Sequence, residues 1–150
     1  TAAMGIVSAL NSGTQVLGMP LFGRLADRVG RRRVFLLGYG IASVVPLLFI
    51  VAHNAPGMGA GFFLLGIAFS ALYVGSAAYI GDHIHFQRHG TALGLLESSR
   101  GLGGVLGPLV AGAITPTVGY SGMFAVMAGI TGISFLLILA KTRERPRLYP

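Results

Sequence analysis

Long apolar stretches dominate the chain: residues 1–22, 34–52, 58–80, 90–114 and 120–140. The first, third and fifth carry no charge, the second is almost wholly apolar, and the fourth carries Glu97 and Arg100. Each has roughly the 17–25 residues that a helix needs to cross a bilayer. None alternates polar and apolar positions as a barrel strand would, and an open strand would leave its backbone groups unpaired in lipid. The pattern predicts an all-α membrane protein, a bundle of five transmembrane helices.

The connections set an orientation. Residues 23–33 hold Arg24, Arg28, Arg31, Arg32 and Arg33 with the single acid Asp27, and residues 81–89 hold Asp82 and Arg88. The tail holds Lys141, Arg143, Arg145 and Arg147 with Glu144, whereas residues 53–57 and 115–119 carry no Lys or Arg. Basic residues thus fall on alternate connections, and the excess of Lys and Arg on cytoplasmic loops places those three segments inside. The N-terminus is then outside and the C-terminus cytoplasmic. Pro56 and Pro116 fall in connections, while Pro20, Pro46 and Pro108 fall within spans, where neighbouring groups can re-satisfy a freed carbonyl.

Composition sharpens this picture. Of 150 residues, 53% are hydrophobic and only 10% charged, against about 25% charged in soluble domains. The net charge of +7 would point to nucleic acid in a soluble protein. Here the cations flank apolar segments, where they meet the surface of a bilayer, so the lipid bilayer is the expected partner and nucleic acid is not. The chain has no cysteine, which excludes disulfides and thiol chemistry. It opens on Thr1 with no basic leader, and we expect a piece of a longer protein with its N-terminal part missing.

The first connection reads Gly23-Arg-Leu-Ala-Asp27-Arg28-Val-Gly30-Arg31-Arg32-Arg33. It resembles the loop signature G-x-L-A-D-R-x-G-R-R of the major facilitator superfamily. Glycines permit a tight turn between helices, and Asp27 can pair with an arginine or sit at a helix N-terminus, whose partial positive charge favours an anion. In the fourth stretch, Gly94, Gly103, Gly107, Pro108 and Gly112 resemble the family's G-x8-G-x3-G-P-x2-G-G pattern, with Ala111 replacing the first glycine of the final pair. In the family that pattern is associated with proton-coupled antiporters. It is also a small-residue stripe of the kind that packs helices closely.

The resemblance implies half of a twelve-helix fold, in which this chain supplies helices two to six or eight to twelve. The absence of an Arg from residues 58–80 and the short tail favour eight to twelve, whereas the completeness of the arginine motif favours two to six. The missing other half would then be an obligatory partner.

Charges inside an apolar span are costly, at about 3 kcal/mol near a helix centre. Glu97 and Arg100, three residues apart, can share a helix face and pair. They are candidates for proton coupling or substrate binding, or for a structural ion pair near a gate. Ser8, Asn11, Ser12 and Gln15 share one side of the first stretch, and Ser70, Tyr73 and Ser76 share one side of the third. Among these, Asn11, Gln15 and Tyr73 are further candidates for contact with a substrate. The alternative role is hydrogen bonding between helices. Asp82 can pair with Arg28 or Arg31 across the bundle and lock a cytoplasmic gate formed with Gly23, Asp27, Gly30 and Arg32. His83, His85 and His89 match no metal spacing and read as a loop at the headgroups.

No nucleophile–base arrangement, P-loop or zinc signature is present, so no enzyme and no cofactor is expected. The resemblance implies secondary active transport of a small molecule by alternating access in the plasma (inner) membrane. It is driven by an ion gradient, with proton-coupled efflux expected ahead of uptake of a sugar or organic acid. A non-transporting membrane subunit, in which Glu97 and Arg100 hold a partner helix, is the reading from another class.

Overall fold

The computed structural model describes residues 2–52 and 54–141. These residues form helices and no strand. Helix α1 runs Ala2–Val29, α2 Arg31–Val51 and α3 Ala55–His83. A single 3-10 turn, Phe86–Arg88, leads into a long helical element, His89–Lys141. That element departs from helical geometry at Gly119 (φ 70°, ψ 176°), and we label its arms α4 (89–118) and α5 (120–141). Unbroken, it would extend for about 80 Å, well over twice the ~30 Å of a hydrocarbon core.

The helices start and stop for local reasons. Gly30 takes φ 109°, a conformation that a side chain disfavours, and one residue suffices to turn α1 into α2. Asn54 caps α3, its side-chain oxygen accepting from the Gly57 amide at 2.9 Å, with Pro56 in the first turn where no amide is needed. Gly119 breaks the long element in the same left-handed way as Gly30.

The connections are therefore shorter than the charge pattern implies. Residues 23–29 are helical, so Gly23 lies in α1 rather than in a turn, and Asp27 sits in the last turn of α1 rather than at a helix N-terminus. Asp82 and His83 still belong to α3. Residues 115–118, including Pro116, stay helical up to Gly119. Charge and proline mark where a chain leaves lipid, and a helix can run on for a turn or two into the headgroups before it ends.

Among the described residues, three helical elements are long and apolar enough to cross a membrane: Arg31–Val51, Pro56–His83 and Phe86–Lys141. Helix α1 is long enough, but Asn11, Ser12 and Gln15 near its middle keep it from that group.

Helix α3 is the hub, packing on α1 along one side and α2 along another. Small residues set these approaches. A Cβ on Gly38 would lie 2.8 Å from the Leu72 backbone nitrogen, and one on Gly75 would lie 2.8 Å from Phe35 Cα. On the other side, a Cβ on Gly66 would lie 2.9 Å from the Asn11 carbonyl oxygen. Ala26, Val34, Val45, Ala68 and Ala71 are the buried hydrophobics among the described residues. Close backbone approach of this kind replaces the hydrophobic drive that lipid removes. Helix α5 packs along α2, with Phe124 stacked on Phe49 (5.2 Å) and Phe135 beside Gly40.

The glycines of α4 are used differently. A Cβ on Gly94, Gly103, Gly107 or Gly112 would meet nothing within 4 Å, and Pro108 is exposed. The small-residue stripe makes no close contact among the described residues.

Gly38→Ala and Gly75→Ala should each destabilise the fold by about 1–3 kcal/mol, because the added methyl meets backbone that cannot yield. Gly132→Ala, where the space is open, should leave the melting temperature in detergent unchanged. Equal melting temperatures for all three variants would disprove this account of the packing.

Candidate functional site

The arginines that follow Gly30 occupy the first turn of α2. A helix N-terminus already bears partial positive charge, so three adjacent cations there need negative partners elsewhere. Arg31 finds them at the C-terminal end of α3. Its Nη1 donates to Asp82 Oδ1 at 2.5 Å and to the Ala78 carbonyl at 3.2 Å. Arg32 Nη2 reaches the Leu139 carbonyl near the end of α5 at 3.4 Å. The start of α2 is thereby tied to the ends of two other helices, whose carbonyls carry the complementary partial charge. The Arg31–Asp82 pair is 38% and 45% exposed, so solvent screening keeps its contribution small.

About two helical turns deeper, α4 meets α3 through Arg100. Its Nη1 donates to Glu97 Oε1 at 2.5 Å and its Nη2 to Ser76 Oγ at 2.6 Å, and its guanidinium lies 4.5 Å from the centroid of the Tyr73 ring. Ser76 in turn donates to the Leu72 carbonyl at 2.6 Å. Arg100 is the more buried partner, 25% exposed against 52% for Glu97. Beside it opens a cavity of about 330 Å3, lined by Phe35, Tyr39, Phe69, Leu72, Tyr73, Ser76, Leu96, Ser99 and Arg100. Four of these nine residues carry rings: Phe35 meets Tyr39 edge-on at 5.2 Å, and Phe69 stacks on Tyr73 at 6.3 Å.

The polar side of α1 goes elsewhere. Asn11 Nδ2 donates to the Phe62 carbonyl at 3.2 Å, Gln15 Nε2 donates to Asn11 Oδ1 at 2.6 Å, and Ser70 Oγ donates to the Gln15 carbonyl at 3.1 Å. This seam joins α1 to α3 and is separate from the Arg100 cavity. Ser12 is exposed, and the Ser8 side chain lies outside the described residues, as do Arg143, Glu144, Arg145 and Arg147 of the tail. Of the stripe Ser70, Tyr73 and Ser76, the first faces α1 while the other two hold Arg100. No buried side-chain nitrogen or oxygen among the described residues lacks a partner, in keeping with the cost of unpaired polar groups in an apolar interior.

The histidines turn to the backbone. His83 Nδ1 lies 2.9 Å from the Tyr79 carbonyl with its ring stacked on Tyr79, and His89 Nε2 lies 2.7 Å from the Ile84 carbonyl. No group of three His, Cys, Asp or Glu among the described residues is placed to hold a metal.

Sequence reasoning singled out Tyr73 but overlooked Phe35, Tyr39 and Phe69, the other aromatic residues of the cavity. Phe35 and Tyr39, like Phe69 and Tyr73, are four residues apart, so each pair lies on one helix face. Two such pairs on neighbouring stretches were the available signal. The contact of Arg32 with a carbonyl of α5 left no trace in the sequence.

The family model described as Major Facilitator Superfamily matches residues 1–150. The chain belongs to that superfamily. The superfamily is one of transporters rather than enzymes, and several relatives are named multidrug resistance proteins. The chain is 33% identical over 145 residues to multidrug resistance protein MdtG of Dickeya zeae (strain Ech586), an alignment covering 94% of this chain and 34% of that protein. It is 31% identical over 137 residues to multidrug resistance protein 3 of Bacillus subtilis (strain 168), covering 85% of this chain and 25% of that one. A fungal relative, the MFS-type transporter TwmF of Talaromyces wortmannii, is 30% identical over 127 residues, covering 85% and 23%. The chain thus spans 23–34% of the length of these curated relatives. The residues of the arginine motif, Gly23, Asp27, Arg28, Gly30, Arg31 and Arg32, lie at the α1–α2 junction described above.

Reversing Asp82 to Arg should lower thermal stability, and the double reversal Arg31→Asp with Asp82→Arg should recover part of the loss. The coupling should be about 0.2–1 kcal/mol, the range for exposed pairs, measured as a double-mutant cycle of melting temperatures in detergent. Strictly additive effects would mean that the pair contributes nothing to stability.

Proposed function

We propose that the protein is a secondary active transporter that exports a small molecule across the plasma (inner) membrane by alternating access, in exchange for protons. The observation that carries this reading is the Glu97–Arg100 pair, two charges kept in an otherwise apolar helix beside a cavity, in a chain of a transporter superfamily. A charge at such a depth costs about 3 kcal/mol on insertion scales, a cost that function rather than packing explains. The names of the relatives from Dickeya zeae and Bacillus subtilis support export.

In this reading α1 to α5 each cross the bilayer, with the N-terminus outside and the C-terminus cytoplasmic. They form one half of a twelve-helix fold, as helices eight to twelve, and the other half is the partner against which they rock. The Arg31–Asp82 pair and the cluster around Asp27 lie on the cytoplasmic side and hold that face closed. Substrate and protons shift the population between states by binding one better than the other. Glu97 is the proton-accepting group, and the small-residue stripe of α4 packs on a helix of the other half.

A specific observation favours a second reading. The cavity is lined by Arg100 and not by Glu97. Protonating Glu97 would release Arg100 from its carboxylate partner and make it a better site for an anion. Proton and anionic cargo would then bind together, which is the logic of uptake by symport. Exchange instead needs a cargo that competes with the proton.

Two measurements test these readings on the chain together with its other half. Cysteines placed at Arg31 and Pro56 should be labelled from opposite faces of a sealed vesicle, and labelling from one face would end the five-span topology. In proteoliposomes with an imposed pH gradient, Glu97→Gln should abolish gradient-driven movement of a transported dye. The direction of proton flow on adding that dye separates exchange from symport, and gradient-driven transport unchanged by the substitution would remove Glu97 from the mechanism.

A further inference from the structure

We infer that the cavity between α2, α3 and α4 is a binding site for an organic anion with a flat aromatic body, and that Arg100 is the group that holds its charge. The inference rests on the second reading above, symport of an anion, only in naming the ligand as cargo; the binding itself does not depend on it.

Three features of the cavity converge on that ligand. Its only charged lining residue is a cation, Arg100, with Glu97 paired to Arg100 but outside the lining. A guanidinium has five N–H groups in a planar fork that matches a carboxylate. Hydrogen bonds to Glu97 and Ser76 occupy one on each terminal nitrogen, so donors remain for a further acceptor. Donors at the edge of an apolar wall gain from an anion that replaces the water they lose.

The second feature is the wall. Phe35, Tyr39, Phe69 and Tyr73 are four of its nine lining residues, an aromatic wall that favours contact with a flat ring over an acyl chain. The third is size. At about 330 Å3, the cavity lies at the small end of the roughly 300–1,000 Å3 range of ligand pockets, fitting a body of one or two fused rings. An aliphatic sugar would leave the rings without stacking partners and the guanidinium without a counter-charge. A lipophilic cation would meet the guanidinium as a like charge.

Glu97 has a defined part in this arrangement. It occupies one edge of the Arg100 fork and competes with an incoming carboxylate for it. Removing its charge should therefore strengthen anion binding, which a merely structural ion pair would not do.

The test uses the full chain in detergent with 2-naphthoate, 2-naphthamide and 2-naphthylmethylammonium as probes, followed by isothermal titration calorimetry. Naphthoate should bind at least about tenfold more tightly than the amide, and the ammonium should bind most weakly. Arg100→Gln should weaken naphthoate about tenfold or more and leave the amide unchanged, with Arg100→Lys between. Tyr73→Leu should weaken both probes. Glu97→Gln should tighten naphthoate severalfold, a gain that cannot come from misfolding. Equal affinity for naphthoate and naphthamide, or naphthoate binding that ignores both Arg100→Gln and Glu97→Gln, would overturn the assignment. Displacement of naphthoate by phosphatidylglycerol at matching affinity would give the site to a lipid headgroup and overturn it too. A protein that, with its other half present, binds naphthoate as expected yet moves no solute across a vesicle wall would refute the transport reading and leave this site standing. Transport without naphthoate binding would do the reverse.

Discussion

The arrangement of this bundle depends on how closely two backbones can approach α3. At Gly38 and Gly75 on one side, and Gly66 on the other, there is no room for a Cβ without collision with backbone atoms of the neighbouring helix. Hydrophobicity cannot set such distances in lipid, because the surrounding chains are as apolar as the helices. Shape does it instead. With α3 fixed between α1 and α2, its polar positions acquire fixed addresses: Ser70 toward α1, Ser76 and Tyr73 toward α4, and Asp82 toward the start of α2.

The charges then follow from the geometry of helix ends. Arg31, Arg32 and Arg33 stand at the N-terminal turn of α2, the end where a cation is disfavoured by the helix dipole. At least two of them escape by reaching the carbonyl-rich ends of α3 and α5. A sequence feature that reads as a membrane-orientation signal is also a clamp between three helix termini. The clamp works only because Gly30 turns the chain within one residue and brings the arginines level with those ends.

The helical class and the apolar stretches were legible because periods and lengths in lipid leave so few alternatives. A pairing of Asp82 with Arg28 or Arg31 was legible from charge alone, and the structure pairs it with Arg31. The limits of the helices were not. Asp27, Asp82 and Pro116 look like loop residues by type, yet all three are helical, because a charge or a proline does not by itself mark the last residue of a helix. The cavity was only half legible. A charge in an apolar run announces itself, but Phe35, Tyr39 and Phe69 resemble every other apolar residue around them until α2, α3 and α4 are brought together.

The contrast between α4 and the other helices is the last consequence of this packing. Helices α1 and α2 meet α3 through backbone contacts that cannot be loosened without opening voids. Helix α4 has no buried residue, and its glycines touch nothing within 4 Å. Its link to α3 is made by Arg100 on Ser76 and Tyr73. A directional polar link differs from close packing in kind: it can be exchanged for another partner of the same chemistry at little net cost. Whatever competes for that guanidinium, a carboxylate on the same helix or an anion in the cavity, also acts on the join between α4 and α3. An anion bound as proposed would therefore act on the position of α4 through one side chain, Arg100.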